Sequence, residues 1–208
     1  MIRLYDYHLD ENGFRVRLLL SMLGLSFETV AIDKAPGREQ EMPHMLALNP
    51  TGTLPILEDG DVRLFGTAAI LAYLVRAHAP DSGWLPADAA DFGRVQQWLG
   101  FSDRELKHAV DAREAALFTS EGASEADLKA ARKAFRIMED HMTLQQVEGS
   151  DWFVGNTPTL ADLALLPSFA LSRDCGTDHD EYPALRRWLR RFRALPGFIT
   201  MPGVPDYH

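Results

Sequence analysis

The chain has 208 residues, 46% of them apolar and 25% charged, enough to bury one good core or two modest ones. Its 21 Lys and Arg stand against 30 Asp and Glu, and the formal charge of -9 excludes a general affinity for a phosphate backbone unless the bases cluster. No stretch reaches the ~18 continuous apolar residues of a membrane span, and no signal-peptide core follows Met1, so a cytoplasmic protein with no nucleic-acid and no membrane partner is expected.

In chain order, residues 2–6 and 27–32 read as short strands. Between them Val16, Leu19, Leu20 and Leu23 repeat at helical spacing until Gly24. A helical crossover of this length makes the two strands parallel and their connection right-handed. A second helix is expected near residues 41–48, stopped by Asn49-Pro50. Residues 54–58, an Asp59-Gly60 turn and residues 62–65 then read as a β-hairpin. It leads into a third helix with Ile70, Leu71, Leu74 and Val75 on one face. Residues 1–78 thus spell βαβ-α-ββα, a small mixed sheet with helices packed on it.

Residues 79–87 have the Pro, Gly and polar composition of a linker. Residues 88–208 read as an all-helical domain, beginning with a long helix that carries Val95, Trp98, Leu99 and Ser102. Trp98, Arg104, His108 and Arg113 are expected on that helix, with Arg104 and His108 sharing a face at i, i+4. Thr159-Leu160-Ala161-Asp162 has the form of a capping box. Cys175 is the only cysteine, has no C-x-x-C partner and reads as an incidental thiol. The basic run Arg186, Arg187, Arg190, Arg191 and Arg193 interleaves with Leu185, Trp188, Leu189 and Phe192, which suits the solvated face of an amphipathic helix. The tail from Phe198 to His208 is too rich in proline for helix and is expected to fold over the cleft between the domains. Seven scattered histidines with no H-x-x-x-H or carboxylate cluster imply no metal site.

Three stretches, Asn49-Pro50-Thr51-Gly52-Thr53-Leu54-Pro55-Ile56-Leu57, Gly66-Thr67-Ala68-Ala69-Ile70-Leu71-Ala72-Tyr73-Leu74 and Asp151-Trp152-Phe153-Val154-Gly155 with Thr159-Leu160-Ala161-Asp162, share an order and spacing. Together they resemble the cytosolic glutathione transferases over nearly the whole chain. The resemblance implies a thioredoxin-like α/β domain followed by an all-α domain, a homodimer, and glutathione as co-substrate. It makes Leu54-Pro55 a cis-proline dipeptide and places Thr53, Leu54, Pro55, Gly66 and Thr67 at the glutathione site. The hydroxyl and N–H of Thr67 would hold the γ-glutamyl carboxylate at a helix start, where unpaired N–H groups favour an anion. An ordinary helix cap is the other reading of Thr67.

The same comparison exposes departures. Gly66 stands where the family has Glu or Asp, so no side chain there meets the ligand's ammonium. Lys34, Arg38 and Gln40 lie near the second helix, where partners for the glycine carboxylate are found. A thiol with pKa of roughly 8.5 needs a donor aimed at sulfur to ionise near neutral pH. Residues 7–18 resemble the bacterial S-x-N-C-Y-K-V-R-L pattern, with Asp10 for serine, Gly13 for cysteine and only Asn12 retained. Asn12 is therefore a candidate donor to the thiolate, aided by the positive end of the helix, or else that helix's N-cap. Tyr7 is the second candidate. Asp10 would raise a thiol pKa by its charge. The resemblance implies attack of the glutathione thiolate on a small electrophilic substrate, as conjugation or as lyase chemistry of the β-etherase or dehalogenase type. A non-catalytic, protein-binding scaffold of the same fold is the alternative. A continuous cleft holding Asn12, Leu54 and Thr67 would favour the enzyme, and a filled cleft the scaffold.

Overall fold

The computed structural model of the protein describes residues 1–206. Strand β1 (Ile2–Asp6) passes through helix α1 (Glu11–Met22) to β2 (Phe27–Ala31), and the two strands pair in parallel from Ile2↔Phe27 to Asp6↔Ala31. Helix α1 starts where the Asp10 carboxylate accepts the Gly13 N–H at 2.8 Å, so Asp10 is the N-cap. A 3-10 turn at Glu39–Glu41 leads to α2 (Pro43–Leu46), which is shorter than the expected helix over 41–48. Pro43 opens α2, and the side chain of Asn49 ends the segment by folding the next residues onto itself. Its Oδ1 accepts the Thr51 N–H at 3.0 Å and its Nδ2 donates to the Thr53 carbonyl at 2.8 Å.

Strands β3 (Ile56–Asp59) and β4 (Val62–Phe65) form the hairpin. Asp59 pairs with Val62, so the turn falls on Gly60-Asp61, one residue later than expected. The sheet order is β2-β1-β3-β4, with β3 antiparallel to both neighbours. Helix α3 (Thr67–His78) follows β4 directly.

Residues 79–88 hold no helix or strand, yet they are not a loose tether. Trp84 and Leu85 are buried, and the Trp84 carbonyl accepts the Leu160 N–H at 2.9 Å. Beyond them come α4 (Ala89–Arg104), α5 (Lys107–Phe118), α6 (Glu125–Val147), α7 (Leu160–Ala170) and α8 (Pro183–Arg193). The expected single long helix is broken at Glu105-Leu106. Leu106 is wholly buried, and its N–H reaches back to the Phe101 carbonyl at 3.3 Å, which widens the turn and separates α4 from α5. Arg104 and His108 therefore do not share one helix face. His108 pairs with Asp127, while Arg113 turns inward to Asp174 and the Leu9 carbonyl.

Every residue of α7 is buried, and the capping box at its start is formed. Asp162 accepts the Thr159 N–H at 2.9 Å, the Phe153 N–H at 3.0 Å and the Trp188 indole N–H at 3.0 Å. Burial still pushes its carboxyl up to about 6 against these donors. Four of the five arginines of α8, Arg186, Arg187, Arg191 and Arg193, are held by Asp180, Gln146, Asp151 and Asp206. One apolar core runs through both halves, from Leu4, Leu18 and Leu19 to Leu163, Leu166 and Trp188. Four of the tail residues, Phe198, Ile199, Met201 and Val204, pack against that core. Tyr207 and His208, included in the expected tail, lie outside the described residues. Among the described residues no helix is long and apolar enough to cross a membrane.

Candidate functional site

A continuous cleft of about 380 Å³ lies between the two halves. The start of α1 contributes Asp10 and Asn12, the turn before β3 contributes Gly52, Thr53 and Leu54, and the start of α3 contributes Gly66 and Thr67. The far wall is the α4–α5 bend, with Ser102, Asp103, Lys107 and Glu114 among its residues. Asn12, Leu54 and Thr67 thus share one open hollow.

The Leu54-Pro55 bond is cis, as is Ala35-Pro36, which the sequence did not suggest. Pro55 fixes the bend without lining the cleft. Among the described residues neither the N–H nor the carbonyl of Leu54 has a protein partner, so an extended peptide can pair with both. At α3 no side chain caps the helix, which leaves its first N–H groups open beside the Thr67 hydroxyl. A helix start of this kind suits an anion. Gly66 departs from the family pattern in its backbone as well as in its missing side chain. Its φ of 84° belongs to a region that L side chains rarely adopt.

At the opposite end Asn12 is half-buried on the first turn of α1. Its Oδ1 accepts Arg15 Nη1 at 2.7 Å, whereas its Nδ2 has no partner among the described residues. With Asp10 as the cap, the amide N–H groups of Asn12 remain available to a ligand. Asp10 does not stand as a naked charge either: Lys34 Nζ donates to its Oδ2 at 2.6 Å and also bonds Glu114. Burial lowers the Lys34 pKa, but the Asp10 and Glu114 carboxylates outweigh it and hold the ammonium above its ordinary value.

Gly13, in place of the pattern's cysteine, is explained by Asp6. A Cβ added at Gly13 would stand 2.5 Å from the Asp6 Cγ and nearer still to Oδ1. Asp6 is 1% exposed, pairs with Arg17 through Oδ2, and leaves Oδ1 without a donor. Burial pushes its carboxyl up to about 7, with the Arg17 guanidinium opposing.

The remaining charges of the cleft are unevenly satisfied. Lys107 pairs with Asp111, and Lys34 with Asp10 and Glu114. Asp103 has no hydrogen bond or ion pair among the described residues. The surrounding protein raises its pKa, with the field of Arg15 opposing. Of the candidates near α2, only Lys34 reaches the cleft. Arg38 is exposed and bound to Glu41, and Gln40 is buried away from the hollow. Sequence reasoning missed Asp103 and Arg15. Glu11 and Arg15 at i, i+4 were the only signal, and they look like an ordinary surface pair.

Tyr7 is not brought to Asn12. It lines a second hollow of about 600 Å³ with His8, Arg17, Ile32 and the tail residues Thr200, Met201 and Pro202, and its ring leans on His8 and Phe118. The described part of the tail therefore borders that hollow and, contrary to expectation, lines no part of the cleft. The Cys175 Sγ donates to the Ser172 carbonyl, and burial raises its pKa, which suits an inert thiol.

Comparison with known proteins gives the same outline. Residues 1–76 match the glutathione S-transferase N-terminal domain and residues 84–196 the C-terminal domain. Glutathione S-transferase 3 of Zea mays is 28% identical over 219 residues, spanning 98% of this chain and 95% of the relative. The crystal structure of glutathione S-transferase from Pseudomonas fluorescens superposes with a TM-score of 0.86 at 27% identity, over 97% of this chain and 98% of the other. A glutathione transferase homolog from Lodderomyces elongisporus, solved with two glutathione molecules per subunit, gives 0.82 at 25% identity over 94% of each chain.

Proposed function

The chain belongs to the glutathione S-transferase family, and on that premise we propose that it binds glutathione in the α1–α3 cleft and activates its thiol with Asn12. The observation that carries this reading is the convergence of an amide N–H, an unpaired backbone dipeptide and an uncapped helix start on one hollow. The γ-glutamyl carboxylate sits at the α3 start on Thr67, and the cysteinyl part pairs with the Leu54 backbone. The thiol then faces the Asn12 amide, and Lys34 is the cation for the glycyl carboxylate. Asp103 takes the ammonium, the task that Gly66 cannot perform, since among the described residues it is the one cleft carboxylate with no ion-pair partner.

Chemically, the Asn12 N–H and the first turn of α1 favour the thiolate over the thiol. The sulfur lone pair forms a bond to an electrophilic carbon as the carbon–leaving-group bond breaks and that group departs with the electron pair. The electrophile is a small molecule seated against the α4–α5 wall. A homodimer is the assembly we propose, with the exposed Val62, Phe65 and Phe92 as its apolar contacts. A reducing compartment supplies the thiol form of glutathione, so the place of action proposed is the cytoplasm. The open cleft favours the enzyme over a protein-binding scaffold.

Calorimetric titration with glutathione tests the reading. Wild type gives a binding isotherm, and Thr67→Ala weakens it about tenfold, the value of one hydrogen bond to a charged group. Absence of heat and of any thermal shift at millimolar glutathione would sink it.

A further inference from the structure

Asn12 is not free to choose which end of its amide meets the cleft. Arg15 is 1% exposed, and four of its five N–H donors have acceptors inside the protein. Nε donates to the Ala164 carbonyl at 2.6 Å, Nη2 to Glu11 Oε1 at 2.8 Å and to Ser168 Oγ at 2.6 Å, and Nη1 to Asn12 Oδ1 at 2.7 Å. A guanidinium has no acceptor, so only the amide oxygen can face it, and the NH2 group is turned the other way. The reversed amide would aim an oxygen lone pair at the sulfur and oppose its ionisation.

The far end of this chain of bonds belongs to the helical half. Ala164 and Ser168 lie on α7, and Ser168 also donates to Glu11. Pro167 has no N–H for the carbonyl of Leu163, and the carbonyl one residue on takes two side-chain donors, Arg15 and, at 3.1 Å, the cleft residue Ser102. Glu11 pairs with the guanidinium at 2.8 Å and offsets part of its charge, so what Arg15 delivers to the Asn12 amide is orientation.

We propose that Arg15 is a positioning residue: anchored on α7, it locks the Asn12 amide with its N–H groups toward the glutathione sulfur, so the helical half sets the ionisation of a thiol bound by the other half. This rests on the reading of Asn12 as the thiolate's donor. Its test is the thiol pKa of bound glutathione, read from thiolate ultraviolet absorbance against pH on the full chain at saturating glutathione. Asn12→Ala, Arg15→Lys and the double variant are compared, with calorimetry for affinity. Lysine keeps the charge but lacks the fork that reaches four acceptors. Asn12→Ala raises the thiol pKa by about half to one pH unit. Arg15→Lys does the same with less than about a twofold change in affinity, and adds nothing in the Asn12→Ala background. Ser168→Ala, a milder loosening of the anchor should Arg15→Lys fail to fold, gives a smaller rise that also vanishes without Asn12. An equal rise in both backgrounds overturns the proposal, because Arg15 then acts without the amide. So does a folded Arg15→Lys whose thiol pKa is that of wild type. A wild-type thiol pKa in Asn12→Ala removes the donor reading itself, and is told apart because it needs no Arg15 variant.

Discussion

Gly13→Ala is the most informative single substitution in the molecule. In an ordinary helix it would gain about 0.5–1 kcal/mol by restricting the unfolded chain. Here the new methyl would meet the buried Asp6 carboxylate, 2.5 Å from its Cγ, when ordinary contact begins near 3.4 Å. Because Oδ1 lies nearer still, the carboxylate must move by well over 1 Å in a site where Asp6 is 1% exposed and paired with Arg17, whose side chain is 16% exposed. Overpacking of this kind costs about 1–3 kcal/mol, and a weakened ion pair adds to it. The expected net loss is about 2–4 kcal/mol, read as a shift of the urea midpoint without a change of slope. In an Asp6→Ala background the obstacle is gone, and the same substitution becomes neutral or mildly stabilising. A Gly13→Ala protein within about 0.5 kcal/mol of wild type, or an additive double-mutant cycle, would refute the explanation.

Three further outcomes follow from the same geometry. Asp103→Asn weakens glutathione about ten- to a hundredfold in calorimetry, while an analogue lacking the γ-glutamyl amine binds both proteins alike. Asp6 carries a folded pKa of about 7 against an ordinary 3.8, so its contribution to stability is fully present below the unfolded value and is lost as pH rises through the folded one. Relative to wild type, Asp6→Asn should therefore gain stability progressively between about pH 4 and 7, by at most about 4 kcal/mol, and a parallel pair of stability curves would contradict this. Asp162→Ala leaves the Phe153, Thr159 and Trp188 N–H groups without their acceptor, and a loss of about 3 kcal/mol or more should appear as a melting temperature lower by about 6–12 °C.

The order of strands and helices was legible because each carries local signals: alternation or 3.6-residue spacing, a capping box, a proline or a glycine at its end. The cleft was partly legible for the same reason, since Asn12, Leu54 and Thr67 each lie at a bend or a helix start. What remained hidden depends on distant chain. Leu106 breaks the long helix only because the packed interior draws it in, and nothing in Arg104-Glu105-Leu106-Lys107 announces this. Arg15 meets partners 149 and 153 residues away, so its burial could not be read beside Glu11. Gly13 looked like a lost function until Asp6 appeared in its space. Tyr7 stood plausibly beside the other candidate until α5 claimed its ring through Phe118.

The large core shared by both halves has a consequence for how such a molecule can change. Arg15 is completed by α7, and Trp84 in the connecting segment is tied to Leu160, so exchanging one half as a cassette would cut through shared contacts. A helical half grafted from a relative would have to arrive with its own acceptors for a hidden guanidinium. Substrate preference can drift residue by residue along the outer wall, but wholesale recombination across residue 79 would leave the hidden guanidinium with Glu11 and Asn12 alone, stripped of its Ala164 and Ser168 acceptors.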